Sequence, residues 1–529
     1  MNKRAGLLVC GIIIFYLAIS FAVITDYGIT FDEPDNFTIG HKYLNYYLTG
    51  ELNFKDDHPE ISGHPNFNSR LVGRSPYIYG SFTNILSAVS CYLFYQKLKI
   101  FDPITAHHII IPILTGIFLY CLFRFIQKYW GNFVAVLSVG ILITCPRFFG
   151  ESFNNIKDIP QVIFSSITIM FFADWVISRK LKDFYLAFLF LGIALATKLD
   201  AVITIMILTL WSFSYAIKMI YARVSGKAKY FAYICAGVFI TFAVFLILLP
   251  PLFPGQSGKM LFLNNMLSYW RAIAIDHNVF WNIYAPAQMI YTTPIFILFL
   301  FVLGVKCIFT KQALKNKLNV LLIIWVAFPI LRHCLPGSRH YDGIRHFLIS
   351  LVPLAIIAAM GAEKALGRLS KIFKFKQLIV LIVLCIFILL PNMHALIITH
   401  PYQTTFFNSF VGGLKGAQER KISSSSDYWL NSYRNAGEWI EKNAKANTLY
   451  FAFPKQALFR YYIKRSDLVP IPMLDWQNIP RNAYIIIVPR PFKASRINMD
   501  KLLAAVRNLE IVYQLRRQGG EILTIYYKQ

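Results

Sequence analysis

Apolar runs of roughly bilayer-crossing length alternate with short polar stretches over the first 400 residues or so, and the alternation sets the reading of the chain. The first run, 5–24, follows Lys3 and Arg4 and lacks a small-residue cleavage pattern, so it predicts a retained first helix rather than a removed signal peptide. Further runs lie at 104–125, 133–149, 161–177, 184–196, 201–217, 231–249, 290–305, 320–331, 347–360 and 378–390. Beyond about 400 the pattern changes. Short β-rich runs at 448–453, 483–488, 511–515 and 522–527 are interleaved with helical patterns at 432–443 and 500–509, which predicts a small α/β unit.

The basic residues give the runs a direction. They collect at 124–128, 179–182, 218–229, 306–317 and 364–376, each between two apolar runs. Cytoplasmic loops carry such an excess of Lys and Arg. One further stretch, 75–98, is apolar enough to span, but counting it would put every basic cluster outside. It is therefore predicted as an interfacial helix within a long first external loop, about 26–103. The result is a multi-spanning α-helical membrane protein with about 11 transmembrane helices. Its N-terminus is cytoplasmic, 1–398 forms the membrane domain, and 399–529 forms an α/β domain outside.

Composition agrees. The 529 residues are 56% hydrophobic with a formal net charge of +27, and mean hydropathy is +0.50. In a soluble chain that charge would suggest nucleic acid; here it is accounted for by the cytoplasmic loops, and no nucleic-acid partner is expected. The eight cysteines are scattered, mostly inside apolar runs, without metal-ligand spacing or a disulfide framework. His41, His58 and His64 have no ligand spacing either. No metal site is expected from spacing, and a divalent-ion requirement is left open.

This topology gathers the unusual polar residues at one membrane face. Asp32 and Glu33 follow the first span; Arg147 and Asp158 flank the loop after the third run; Lys198 and Asp200 follow the fifth; Arg339, His340, Arg345 and His346 precede the tenth. A carboxylate there can take a proton from an acceptor hydroxyl if its surroundings hold its pKa usefully high. Arg147, Arg339 and Arg345 suit a phosphate or pyrophosphate, because guanidinium offers paired donors and keeps its charge, and His340 and His346 add donors. Arginines at such a surface also bind lipid headgroups without chemistry.

Four stretches carry a resemblance: Gly28-Ile29-Thr30-Phe31-Asp32-Glu33-Pro34, Asn155-Ile156-Lys157-Asp158-Ile159-Pro160, Arg339-His340-Tyr341-Asp342-Gly343-Ile344-Arg345-His346, and His400-Pro401-Tyr402-Gln403 through Phe407-Asn408 and Gly412-Gly413 to Asp427-Tyr428-Trp429. In this order they resemble the multi-spanning glycosyltransferases of the GT-C superfamily. The likeness is strongest to bacterial glycosyltransferase family 39 proteins related to protein O-mannosyltransferases and aminoarabinose transferases. The resemblance implies a polyprenyl-phosphate sugar donor, a lipid, glycan or protein acceptor, and inversion by direct displacement at the periplasmic face of a bacterial inner membrane. It makes Asp32 the expected base, with Glu33 as the other candidate, and gives Asp158 a supporting role. Arg339 and Arg345, joined by Lys198, would stabilise the leaving phosphate. Pro34-Asp35-Asn36 departs from the Arg-Tyr that follows the acidic pair in aminoarabinose transferases, so their substrate does not carry over. The competing class is a transporter or flippase of lipid-linked sugars, which shares the basic groups but does not need Asp32 for chemistry. A membrane scaffold without catalysis is the third reading. Charges midway across several spans would favour transport, and few are found.

Overall fold

A computed structural model describes residues 3–50, 80–221, 227–249, 280–338, 340–373, 377–490 and 497–529. The apolar runs are helices. Among the described residues, four helical stretches are long and apolar enough to cross a membrane: Ala5–Asp26, Pro103–Thr144, Asp158–Ser178 and Arg345–Ile372. A bent pair, Tyr284–Thr292 and Ile295–Ile308, makes a fifth if it is one span, and Leu199–Phe213, Ala232–Ile247 and Ile386–Thr399 are shorter apolar helices. The chain is a multi-pass helical membrane protein.

Local chemistry moves several helix ends from where the apolar pattern put them. The basic cluster at 124–128 does not turn; Arg124 and Lys128 continue the helix Ile110–Thr144 until Gly131, whose φ of +87° only glycine takes without a Cβ penalty. The run 133–149 stops at Thr144, because Pro146 cannot donate into the preceding turn and instead opens a separate helix, Pro146–Asn154. The run 290–305 is bent by 118° ahead of Ile295, at Thr293 and Pro294.

Between the first two spans, the described residues form a bracket of short helices. Asp32 precedes the helix Glu33–Thr49, which has proline in its first turn. The described part of 75–98 gives the helix Phe82–Cys91 and a wider π-helical turn, Tyr92–Lys97. Asp102 then caps Pro103–His108, its Oδ1 accepting from the Ile104 and Thr105 amides at 3.0 and 3.2 Å.

Among the described residues, five strands make one sheet: β1 (Leu449–Phe453), β2 (Val469–Pro470), β3 (Ala483–Ile487), β4 (Glu510–Arg517) and β5 (Gly520–Lys528). Their order is β2-β1-β3-β5-β4; β1 is parallel to β2 and β3, and β5 is antiparallel to β3 and β4. The two-residue side-chain alternation sends Tyr450, Ala452, Tyr484 and Ile486 into a core continuous with the membrane helices. Phe451, Phe453, Ile485 and Ile487 form the opposite face with Leu502 and Val506, on the helix Met499–Val506. The sheet thus rests on the same core as the spans. The carboxyl ends of parallel strands β1 and β3 lead to Lys455 and Arg490.

The C-terminal region also grips the acidic loop. The Phe31 amide donates to the Trp429 carbonyl at 3.0 Å, the Ile29 amide to the Tyr462 hydroxyl at 2.7 Å, and Lys455 Nζ to the Phe31 carbonyl at 2.5 Å.

Candidate active site

Asp32 occupies the N-cap position of its helix but makes no capping bond, which leaves its carboxylate for other partners. Lys157 Nζ lies 3.0 Å from its Oδ2, and Arg345 Nη1 3.4 Å from the same atom. Lys157 is set by the turn before the helix Asp158–Ser178, where Asn155 Oδ1 accepts from the Lys157 amide at 2.8 Å. Asp158 is the next residue, at the start of that helix, where a negative charge meets the positive end of the helix dipole. Its Oδ1 holds Lys198 Nζ at 2.7 Å, and its Oδ2 stands 3.9 Å from Arg345 Nη1.

The chain of charges continues both ways. Lys198 reaches Asp200 Oδ2 at 3.1 Å, and His346 Nδ1 is 4.0 Å from that oxygen. Arg345 Nη2 binds Asp342 Oδ2 at 2.9 Å, and Arg490 Nη2 binds Asp342 Oδ1 at 2.8 Å. The Arg345 guanidinium lies 4.8 Å from the Trp429 ring centroid and 5.5 Å from that of Tyr341. Lys455 and Arg490 sit 4.4 and 4.6 Å from the Phe31 ring. The alternation of acid and base compensates each buried charge, as partly desolvated charges require.

Electrostatics sort these groups. Burial would raise the Asp32 carboxyl, but Lys157 first, then Arg345 and more weakly Lys455, hold it well below the usual carboxylate range. The expectation of a base held usefully high is thus reversed, because two cations share its Oδ2. Burial works against the charge on Lys198, and Asp158 and Asp200 outweigh it, keeping the ammonium firmly protonated. Lys455 goes the other way: burial lowers it, with only partial compensation from Asp35 and Asp32.

The structure brings Asp32, Asp158, Lys198 and Arg345 into one ion-pair chain and puts His346 at its end. Among the described residues, Glu33 and Arg147 have other partners. Glu33 is fully buried, accepting from the Thr30 amide at 2.6 Å and lying 2.8 Å from His108 Nε2. Arg147, also fully buried, donates from Nε to the Phe406 carbonyl at 3.2 Å and from Nη1 to the Tyr428 hydroxyl at 3.3 Å. His340 packs its ring 5.4 Å from that of Tyr284. Arg339 lies outside the described residues.

Sequence reasoning missed Lys157, Asp342, Lys455, Arg490 and Glu151. Lys157 and Asp342 stand inside the motifs quoted above, beside the residues singled out. Lys455 and Arg490 each follow a strand and a proline, a placement readable only once those strands are known to be parallel neighbours. Glu151 lies behind Arg345. Tyr428 donates to its Oε1 at 2.8 Å, and Trp429 Nε1 to its two oxygens at 3.1 and 3.0 Å. Burial first, then the Asp158 charge, push it up to about 7.

Residues 88–248 match the family model described as dolichyl-phosphate-mannose-protein mannosyltransferase. The match covers less than a third of the chain, within its helical part. A search of curated proteins returns no match. Among solved structures, ArnT from Cupriavidus metallidurans in the apo state is similar at 11% identity with a TM-score of 0.46, over 98% of each chain. The same protein bound to undecaprenyl phosphate is similar at 12% and 0.46, over 99% of this chain and 98% of that one. The apo oligosaccharyltransferase of Archaeoglobus fulgidus is similar at 11% and 0.46, over 92% of this chain and 70% of that one.

Proposed function

We propose that the chain is a GT-C-type membrane glycosyltransferase, one that takes a hexosyl or pentosyl group from a polyprenyl-phosphate donor and passes it, with inversion, to a hydroxyl of a lipid, glycan or protein acceptor. One observation carries the reading: Asp32 is pinned by Lys157 and Arg345, two cations that a donor phosphate also attracts. In the free protein these cations make Asp32 a weak base. A bound phosphate draws part of their charge away, so donor binding raises the proton affinity of Asp32 when an acceptor must be deprotonated. The acceptor oxygen loses its proton to Asp32 and bonds to the anomeric carbon. The bond from that carbon to the phosphate oxygen breaks, and the polyprenyl phosphate leaves with both electrons. Arg345, Lys157 and Lys198 stabilise the charge that develops on it. Among the described residues, the carboxylates Asp32, Asp35, Asp158, Asp200 and Asp342 face the cations Lys157, Lys198, Arg345, Arg490 and Lys455, so a bound phosphate would compete with these carboxylates for the cations.

The site faces the periplasm of a bacterial inner membrane in this reading, above about eleven crossings, with the 399–529 unit closing it from outside. The basic-loop bias supports that orientation. A reporter fused after Gln529 is expected outside the cytoplasm, and a cytoplasmic signal overturns the topology. For the chemistry, purified protein given a polyprenyl-phosphate sugar and an acceptor should release polyprenyl phosphate. Asp32→Asn should stop the release while the protein stays folded; unchanged release from Asp32→Asn sinks the base assignment.

A further inference from the structure

A second cluster lies in the bracket between the first two spans, away from the ion-pair chain. His41 comes from the helix Glu33–Thr49, Cys91 ends the helix Phe82–Cys91, and His107 lies in Pro103–His108. All three are buried, and their ligand atoms lie within 4.8 Å of one another. The Nε2 atoms of His41 and His107 are 3.2 Å apart. Close backbone contact makes this convergence possible: a Cβ on Gly40 would stand 2.2 Å from the Asn84 carbonyl oxygen, so only glycine lets the first two helices approach this closely.

Hydrogen bonding accommodates one tautomer of His107 well. Ser87 Oγ lies 3.0 Å from the His107 carbonyl and 2.8 Å from Nδ1; with its proton on the carbonyl, it accepts from Nδ1–H. In that tautomer the Nε2 lone pair of His107 is turned toward His41 and Cys91. An imidazole whose outer N–H is tied down while the other nitrogen faces a thiol and a second imidazole has the form of a metal ligand with its supporting hydrogen bond.

We propose that His41, Cys91 and His107 bind one zinc ion. Zinc takes this mixture of soft sulfur and borderline nitrogen, with bonds of about 2.0–2.1 Å to nitrogen and about 2.3 Å to sulfur. Tetrahedral angles then set two ligating nitrogens about 3.3 Å apart, close to the 3.2 Å observed. Cys91 loses its thiol proton on binding and closes on the ion by a side-chain rotation. The ion ties together three helices that are separate in sequence. His108, next to His107, is hydrogen-bonded to Glu33, so the tie also anchors the segment that presents Asp32. The role is to hold the bracket and includes no step of sugar transfer, so it does not depend on the assigned reaction.

Purified full-length protein, stripped with chelator and returned to zinc alone, should bind one zinc per chain and melt at a higher temperature than the stripped form. Cobalt in place of zinc should give the intense visible bands of a thiolate-ligated ion held by these three side chains with a water as fourth ligand. Cys91→Ser, nearly isosteric and expected to fold, should lose the thiolate band and weaken zinc binding at least 100-fold. Ser87→Ala should weaken it on the order of 10–100-fold by releasing the His107 ring. No stoichiometric zinc in the wild-type protein would overturn the proposal and leave the direct His41–His107 hydrogen bond. Equal zinc binding by Cys91→Ser and wild type would overturn it too.

Discussion

Asp32 and Glu33 are adjacent, yet the fold gives them opposite surroundings. The Asp32 side chain is 21% exposed, sits beside Lys157 and Arg345, and faces the ion-pair chain. The Glu33 side chain is 0% exposed and spends its oxygens on the Thr30 amide and on His108. The helix that starts between them sets the division. One carboxylate is left at the N-cap without a capping bond, while the other turns back to the loop and the bracket. Two acids of similar strength in free solution therefore differ in their partners, and on the proposed reading Asp32 meets the ligand while Glu33 holds the loop that presents it.

The sharpest test of that division is catalytic. Asp32→Asn keeps the shape and removes the proposed base, and the proposed transfer should fall on the order of 10²–10⁴-fold, the usual worth of a positioned general base. A melting curve should show the fold intact. Glu33→Ala should do the reverse. It strips a buried acceptor from the Thr30 amide and from His108, a loss of about 3 kcal/mol of stability. Turnover per folded molecule should change much less than in Asp32→Asn. If Glu33→Ala is stable but inactive, the roles of the pair are exchanged.

The membrane character was readable because hydropathy is summed over many residues. Particular helix ends were not. Gly131, Pro146 and Pro294 act through backbone geometry that apolar averages ignore. Within the site, Asp32, Asp158, Lys198 and Arg345 were legible as charges at a membrane edge. Arg147 looked equivalent to Arg345, yet it lies behind the cluster, bonded to Tyr428 and the Phe406 carbonyl, since loop position alone does not say which way a side chain leaves a short helix. Lys455 and Arg490 were hidden for another reason. Each is an ordinary basic residue until strands β1 and β3 pair in parallel and bring their ends together. His41, Cys91 and His107 likewise share no spacing motif and meet only through helix packing.

Glu151 extends the contrast one layer inward and yields the smallest expected effect. It is a carboxyl that donors from Tyr428 and Trp429 approach, yet burial and the nearby Asp158 charge lift it from 4.5 to about 7. Its sign is opposite to that of Asp32. Between about 4.5 and about 7 the folded chain keeps the proton that the unfolded chain releases, so the folded state binds more protons. The stability that Glu151 confers is complete below about 4.5, declines as pH rises through about 7, and is flat above. The full swing is up to about 3 kcal/mol. Glu151→Gln supplies a neutral side chain of the same shape at every pH, with an oxygen that still accepts from Trp429. Melting temperatures of wild type and variant, taken in parallel from pH 4.5 to 8, should therefore diverge, with the variant gaining relative stability as pH rises. A constant difference across the range would mean that Glu151 is ionised in the folded protein, and that the Arg345–Trp429 stack rests on a charged carboxylate.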